Sequence, residues 1–150
     1  MEQKRRIVPP VWLLLTLIAM GVLQWRLPIA QLIDWPYRWI SLPLILTGFA
    51  LTLPAARSFQ RAGTPLIPFE RSTAVVTGGL FRYTRNPMYL GMVVFLLGTA
   101  VLLGSLGAFL PVPVFVAIIQ KNFIEGEERF MEELFGEEYL AYKRSVRRWL

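Results

Sequence analysis

Residues 85–128 decide the fold of this chain and read RNPMYLGMVVFLLGTAVLLGSLGAFLPVPVFVAIIQKNFIEGEE. Positions 88–120 within this stretch contain no charged residue. As a single helix they would reach about 50 Å, which exceeds the ~30 Å hydrocarbon core of a bilayer. The stretch is therefore predicted to fold back as a helical hairpin, with its turn at 104–107 and with Pro111 and Pro113 at the start of the returning helix.

The rest of the chain is also too apolar for a water-soluble globule. Of its 150 residues 55% are hydrophobic and 17% are charged, and further uncharged runs precede the hairpin. The predicted fold class is an all-α integral membrane protein of one domain with about four transmembrane helices, at residues 8–26, 38–56, 88–104 and 107–124. A loop at 57–87 follows the second span. The tail at 125–150 alternates charged and aromatic residues, which predicts a C-terminal cytoplasmic amphipathic helix.

The basic residues indicate how these spans are oriented. All Lys and Arg residues except Arg26 and Arg38 fall on the side that four spans assign to both termini. By the positive-inside rule this side is cytoplasmic, and the inner membrane of a bacterium is the expected location. The net charge of +6 does not indicate a nucleic-acid partner, because the basic residues flank apolar runs and form no continuous patch.

Composition also limits the chemistry. The chain contains no Cys and no His, which excludes disulfides and thiolate metal sites and removes the usual general base and the commonest metal ligand. No metal is therefore expected. Catalysis would have to use carboxylates, Arg, Lys, Tyr or backbone groups.

Two polar motifs border the hairpin, and each has two interpretations. The residues of RNPMYLG at 85–91 suit a helix start at a membrane surface, with Arg85 reaching the headgroups and Asn86 as the cap. The carboxylates of Glu127 and Glu128 suit a solvated acidic helix face. Equally, carboxylates at a membrane boundary can bind a cationic or hydroxyl-bearing ligand, and Gly91 leaves the helix surface open to one.

The order and spacing of these motifs resemble a known superfamily. RNPMYLG, an apolar hairpin, the Glu pair and then FGEEYLAYK at 135–143 are similar to the isoprenylcysteine carboxyl methyltransferases and the related phospholipid methyltransferases. Residues 62–65 and 76–82 resemble the region that precedes the motif in short bacterial members. The resemblance covers roughly residues 57–149.

This resemblance implies a membrane methyltransferase that uses S-adenosylmethionine and acts on a lipophilic acceptor, either a carboxylate or an amine, that enters from the bilayer. The chemistry of such a transfer points to Arg85, which would orient the acceptor, and to Glu128, which with Glu127 is a candidate base for an amine, as catalytic residues. Substrate contacts are expected from Arg85 and Lys121. The implied cofactor-binding residues are Gly78, Leu80, Asn86, Pro87, Tyr89, Gly91, Glu127 and Glu128. Many family members have His where this chain has Asn86, and Asn cannot titrate.

Two other functions stay open at the level of sequence. The C-terminal half also resembles sterol-reductase-like membrane enzymes, which use NADPH. The third possibility is a non-catalytic four-span membrane scaffold that keeps the fold without the reaction.

Overall fold

Proline and glycine set the helix boundaries in the computed structural model, which describes residues 8–27, 29–63 and 73–150. Proline occupies the first turn of two helices, where its missing N–H leaves no hydrogen bond unmade. The described residues form helices α1 (Pro9–Arg26), α2 (Ser41–Arg61), α3 (Pro87–Leu103), α4 (Leu106–Phe135) and α5 (Glu137–Ser145). Short 3₁₀ turns lie at Tyr37–Ile40 and Gly79–Arg82. The all-helical prediction is confirmed for these residues.

The predicted hairpin is present as α3 and α4. Helix α3 ends at Leu103 and is followed by Gly104, whose positive φ of 80° is costly for residues with a Cβ, and α4 begins at Leu106. The backbone N–H groups of Leu32 and Ile33 donate to the carbonyl of Gly104 at 2.8 and 3.0 Å. The α1–α2 loop and the α3–α4 turn therefore meet at one end of the molecule. Pro111 begins a regular segment of α4, as predicted.

Helices α2 and α3 pack antiparallel through glycine. A Cβ at Gly91 would lie 2.2 Å from Thr52 Oγ1 and 2.7 Å from the carbonyl oxygen of Gly48. A Cβ at Gly98 would lie 2.8 Å from the side chain of Ile45. The backbones approach this closely only because those positions lack side chains.

Two clusters of apolar side chains hold the helices together. The larger lies between α1, α3 and α4 and includes the fully buried Met20, Leu96, Phe115 and Ile119. The smaller lies at the opposite end from the α3–α4 turn and joins α2, the 3₁₀ turn and α5 through Ala55, Phe81, Tyr139 and Tyr142. The hydroxyl of Tyr142 donates to the carbonyl of Phe81 at 2.7 Å. This second cluster positions the polar groups described below.

The predicted spans coincide with helices, although not all are shown to cross a membrane. Among the described residues, Tyr37–Arg61 and Leu106–Phe135 are long and apolar enough to do so, and Pro87–Leu103 is apolar but shorter. Only 17% of the apolar window of the first is buried within the protein, so most of it faces outward. Crossing by α1 and α3, and with it the count of four, stays a prediction.

The tail differs in one respect from the sequence prediction. Helix α4 does not end at residue 124 but continues to Phe135, through a π-helical turn at Gln120–Ile124. A separate helix, α5, follows Gly136. The amphipathic character expected of residues 125–150 stays a prediction.

Part of the loop at 57–87, including Thr64 and Pro65 of the motif region, lies outside the described residues.

Candidate functional site

The two polar motifs meet in space, although 43 residues separate Arg85 from Glu128. Arg85 Nη2 donates to Glu128 Oε1 at 2.9 Å, and the two side chains are 8% and 6% exposed. Both lie at the polar end of the α3–α4 hairpin, where α3 begins and the apolar part of α4 has ended. The sequence assigned separate contacts to these two residues, and the structure makes them partners.

Arg148 completes this ion cluster and was missed by the sequence analysis. Its Nε donates to Glu128 Oε1 at 3.0 Å and its Nη2 donates to Glu128 Oε2 at 2.8 Å, which is a bidentate pair. Lys143 Nζ lies 3.8 Å from Glu128 Oε2 and also pairs with Glu132. The hydrogen bonds to Glu128 raise the pKa of the Arg148 guanidinium above its ordinary value. Only the general abundance of basic residues in the tail could have pointed to it.

The last residues of α5 and the segment after it cross the site and are here called the C-terminal strap (143–149). Four of its backbone carbonyls accept hydrogen bonds from the motif that begins α3. Arg85 Nη1 donates to the carbonyls of Lys143 and Val146 at 2.8 and 3.1 Å, and the Arg85 backbone N–H donates to Arg147 at 2.9 Å. The side chains of Thr84 and Asn86 both donate to the carbonyl of Arg148, at 3.2 and 3.0 Å.

Asn86 therefore has a structural partner that the sequence did not indicate. Its side-chain amide is committed to the strap, while its backbone N–H donates to Thr84 Oγ1 at 3.2 Å. Pro87 follows as the first residue of α3 and is almost fully buried.

Glu127 has a different partner from its neighbour Glu128. The hydroxyl of Tyr89 donates to Glu127 Oε1 at 2.7 Å, and the Tyr89 side chain is buried. Consecutive residues on a helix point about 100° apart, so the two carboxylates contact different groups at the start of α3. The preceding π-helical turn adds a residue to one turn of α4, a distortion that is frequent at functional sites.

Arg85 carries one further feature of chemical interest. Among the described residues, its Nε is buried and has no hydrogen-bond partner. A buried donor without a partner costs about 1–3 kcal/mol and calls for an explanation, such as a ligand.

The other predicted site residues lie elsewhere. Gly91 packs against α2, and Lys121 is exposed beside an apolar groove formed by α4 residues such as Val114 and Ile118. Leu80 lines a cavity of about 490 Å³ at the polar end of α2, and Gly78 precedes the same 3₁₀ turn. The structure thus brings together Arg85, Asn86, Tyr89, Glu127 and Glu128.

The chain is similar to known methyltransferases of membranes. The family model for phospholipid methyltransferases matches residues 37–138. Protein-S-isoprenylcysteine O-methyltransferase A of Arabidopsis thaliana is 32% identical over 113 residues, covering 72% of this chain and 57% of that protein. The corresponding enzyme of Schizosaccharomyces pombe is 35% identical over 75 residues, covering 48% of this chain and 30% of that protein.

An uncharacterized protein of Haemophilus influenzae is 43% identical over 63 residues, which cover 42% of this chain and all of that protein. Among solved structures, the eukaryotic intramembrane Ras methyltransferase, an isoprenylcysteine carboxyl methyltransferase, matches with a TM-score of 0.69 at 19% identity. That match covers all of this chain and 53% of the solved one. The chain thus spans little more than half the length of the Arabidopsis relative and of the solved structure.

Proposed function

Because the chain belongs to the phospholipid methyltransferase family, we propose that it transfers a methyl group from S-adenosylmethionine to a lipophilic acceptor. The reaction takes place at the polar end of the α3–α4 hairpin. The observation that carries this proposal is the Tyr89–Glu127 pair beside the buried Arg85–Glu128–Arg148 cluster. It joins the two motifs into one site with different tasks for the two carboxylates.

Glu127 is the residue proposed to hold the cofactor. Its Oε1 accepts the Tyr89 hydroxyl, and among the described residues its Oε2 has no partner. A carboxylate can accept several hydrogen bonds, so Glu127 retains capacity for a ligand. S-adenosylmethionine supplies an electrophilic methyl group on a sulfonium. It also carries an ammonium group and ribose hydroxyls, and a carboxylate can accept hydrogen bonds from both. Tyr89 fixes the orientation of Glu127.

Glu128 is proposed to act through other residues. Both of its oxygens are occupied by guanidinium groups, so it is not available as a general base or as a ligand for the cofactor. It positions Arg85 and, through Arg148, the C-terminal strap. This proposal replaces the direct catalytic role that the sequence analysis expected of Glu128.

Arg85 is proposed to contact the acceptor through its Nε. Glu128 and the strap carbonyls each bind a terminal nitrogen, which leaves Nε as the nitrogen of Arg85 without a partner among the described residues. An acceptor carboxylate placed there would satisfy this donor and would already be nucleophilic at neutral pH. The names of the relatives specify O-methylation of isoprenylcysteine and that of the family specifies a phospholipid, so a lipophilic acceptor is what they share.

The chemistry requires little beyond this arrangement. Methyl transfer from a sulfonium is an in-line displacement that depends on alignment of donor and acceptor and on exclusion of water. Buried side chains and the strap provide both at the polar end of the hairpin. The distribution of Lys and Arg along the sequence favours a membrane location with this end, and both termini, in the cytoplasm.

Ligand binding by purified protein tests the proposal. S-adenosylmethionine should raise the melting temperature of the wild type in detergent, since a ligand that binds only the native state stabilises it. Glu127→Gln should weaken the affinity at least about tenfold, from the loss of one charged hydrogen-bond acceptor. Glu133→Gln is the matched control, because Glu133 is exposed on the same helix.

Two outcomes would contradict the proposal. Stabilisation by NADPH and not by S-adenosylmethionine would favour a reductase, and stabilisation by neither would favour a scaffold.

A second assay identifies the acceptor: membranes with and without the protein are supplied with methyl-labelled S-adenosylmethionine, and the extracted lipids are examined for a new labelled species.

A further inference from the structure

A second polar site lies at the end of α2, on the cavity of about 490 Å³ that Leu80 lines. Three arginines line this cavity: Arg57 and Arg61 from the last turns of α2, and Arg82 from the 3₁₀ turn. We propose that these arginines bind the phosphate group of a lipid headgroup. This site goes beyond the proposed methyl transfer and does not depend on it.

The three arginines have no carboxylate partner among the described residues, whereas several arginines elsewhere do. Arg85, Arg144 and Arg148 each pair with a carboxylate. Arg57, Arg61 and Arg82 have no hydrogen-bond or ion-pair partner within residues 8–27, 29–63 and 73–150. Among the described residues, no carboxylate compensates their charges around this concave surface.

The spacing of the two α2 arginines adds a modest repulsion, which water screens because all three arginines are exposed. Residues four apart lie on the same helix face, so Arg57 and Arg61 repel each other, and Arg82 adds a third like charge from across the cavity. An anion bound between the three guanidinium groups would offset their mutual repulsion, because each positive charge would be attracted to it. Guanidinium groups bind phosphate oxygens in bidentate fashion, and a phosphate offers enough oxygens for several of them.

The position of the cavity favours a lipid as the source of the phosphate. The uncharged part of α2 ends at Ala56, and Arg57 is the first charged residue after it, so the cavity opens where a span leaves the hydrocarbon. Basic pockets beside transmembrane helices at the cytoplasmic surface are typical sites for anionic headgroups. A cavity of about 490 Å³ also has room for much more than a free phosphate ion.

Thermal unfolding of the detergent-solubilised protein tests the site with two pairs of probes. Inorganic phosphate is compared with chloride at equal ionic strength, and short-chain phosphatidylglycerol is compared with the diacylglycerol of the same chain length, which lacks the phosphate. Phosphatidylglycerol should raise the melting temperature at lower concentration than inorganic phosphate, while chloride and diacylglycerol should have little effect. Equal potency of inorganic phosphate and the lipid would overturn the lipid source.

Arginine variants test whether the stabilisation by lipid comes from this cavity. Arg82→Gln and the double variant R57Q/R61Q should each weaken phosphatidylglycerol binding about tenfold or more, the loss expected for charge-assisted hydrogen bonds. The matched control is R129Q/R144Q, which removes two positive charges from exposed positions outside the cavity. Equal loss in the control would overturn the proposal, since binding would then depend on total charge alone.

Two further results would also overturn it. One is a wild-type protein that no phosphate-bearing probe stabilises. The other is an Arg82→Gln variant that loses affinity for S-adenosylmethionine and keeps that for phosphatidylglycerol, because the cavity would then belong to the cofactor. Failure of methyl transfer alone would leave these binding results unchanged, so the two proposals can fail separately.

Discussion

Glu128→Gln is expected to destabilise the protein strongly, because Glu128 is the anion at the centre of the buried cluster. Its two oxygens accept three hydrogen bonds, one from Arg85 and two from Arg148, at 2.8 to 3.0 Å. Glutamine has the same shape, but one of its terminal atoms is a donor. That donor would face a guanidinium N–H, and the Arg85 charge would lose its counterion.

The size of the expected loss in stability follows from the burial of the Arg85–Glu128 ion pair. Breaking a buried ion pair by removing one partner costs about 3–5 kcal/mol, and the Arg85 and Glu128 side chains are 8% and 6% exposed. The Arg148 and Lys143 side chains are each 33% exposed, so water screens their charges and their losses add less. Arg85 cannot turn away into solvent without giving up its bonds to the strap carbonyls. We therefore expect Glu128→Gln to lower the free energy of unfolding by about 3–5 kcal/mol.

Equilibrium unfolding in mixed micelles measures this change, with the free energy extrapolated linearly to zero denaturant. The exposed control Glu133→Gln should stay within about 0.5 kcal/mol of the wild type. In the double variant R85M/E128Q, the buried charge and its counterion disappear together, so the combined loss should be smaller than the sum of the single losses by about 1 kcal/mol or more. Additive losses, or a Glu128→Gln loss below about 1 kcal/mol, would refute the reasoning from burial.

Two further predictions concern helix packing and the second carboxylate. Gly91→Ala should destabilise the protein by about 1–3 kcal/mol, because the new Cβ would meet Thr52 Oγ1 at 2.2 Å. Unfolding measurements should show no such loss for the control Gly21→Ala, because nothing lies within 4 Å of a Cβ at that position. Tyr89→Phe removes the hydroxyl that orients Glu127 and should cost about 1–3 kcal/mol in stability together with affinity for S-adenosylmethionine. Tyr83→Phe is its control, since Tyr83 is 74% exposed, and an equal loss of affinity there would contradict the role given to Tyr89.

Local physics made the helical hairpin predictable. A run of 33 uncharged residues is too long for one crossing, and Gly104 and Pro111 mark where the chain turns and where the return helix continues. The end of α4 was not predictable in this way. The change from apolar to acidic residues near position 124 indicates a membrane boundary, but a helix continues across such a boundary as long as its residues favour helix. Thus α4 runs on to Phe135.

The site was predictable only in part, because long-range contacts complete it. The pairing of Tyr89 with Glu127 lies between motifs that the sequence had already placed on the two arms of one hairpin. Arg148 gave no comparable signal, since its partner is 20 residues away and the intervening chain changes direction at Gly136. The amide of Asn86 likewise contacts a backbone carbonyl, which any residue type in the strap would provide.

The two adjacent carboxylates illustrate why a paired motif need not have one role. Glu128 is compensated by Arg85 and Arg148, so its charge is fully used within the protein and its contribution is the position of other groups. Glu127 has a neutral partner in Tyr89, so no cationic side chain among the described residues pairs with it, and we propose that it binds the cationic cofactor. If both carboxylates were paired with arginine, the site would lose its attraction for a sulfonium. If neither carboxylate were paired with arginine, two negative charges would lie side by side at low exposure, which is unfavourable. Electrostatics therefore favours the proposed division, in which Glu127 binds the cofactor and Glu128 orders Arg85 and the strap.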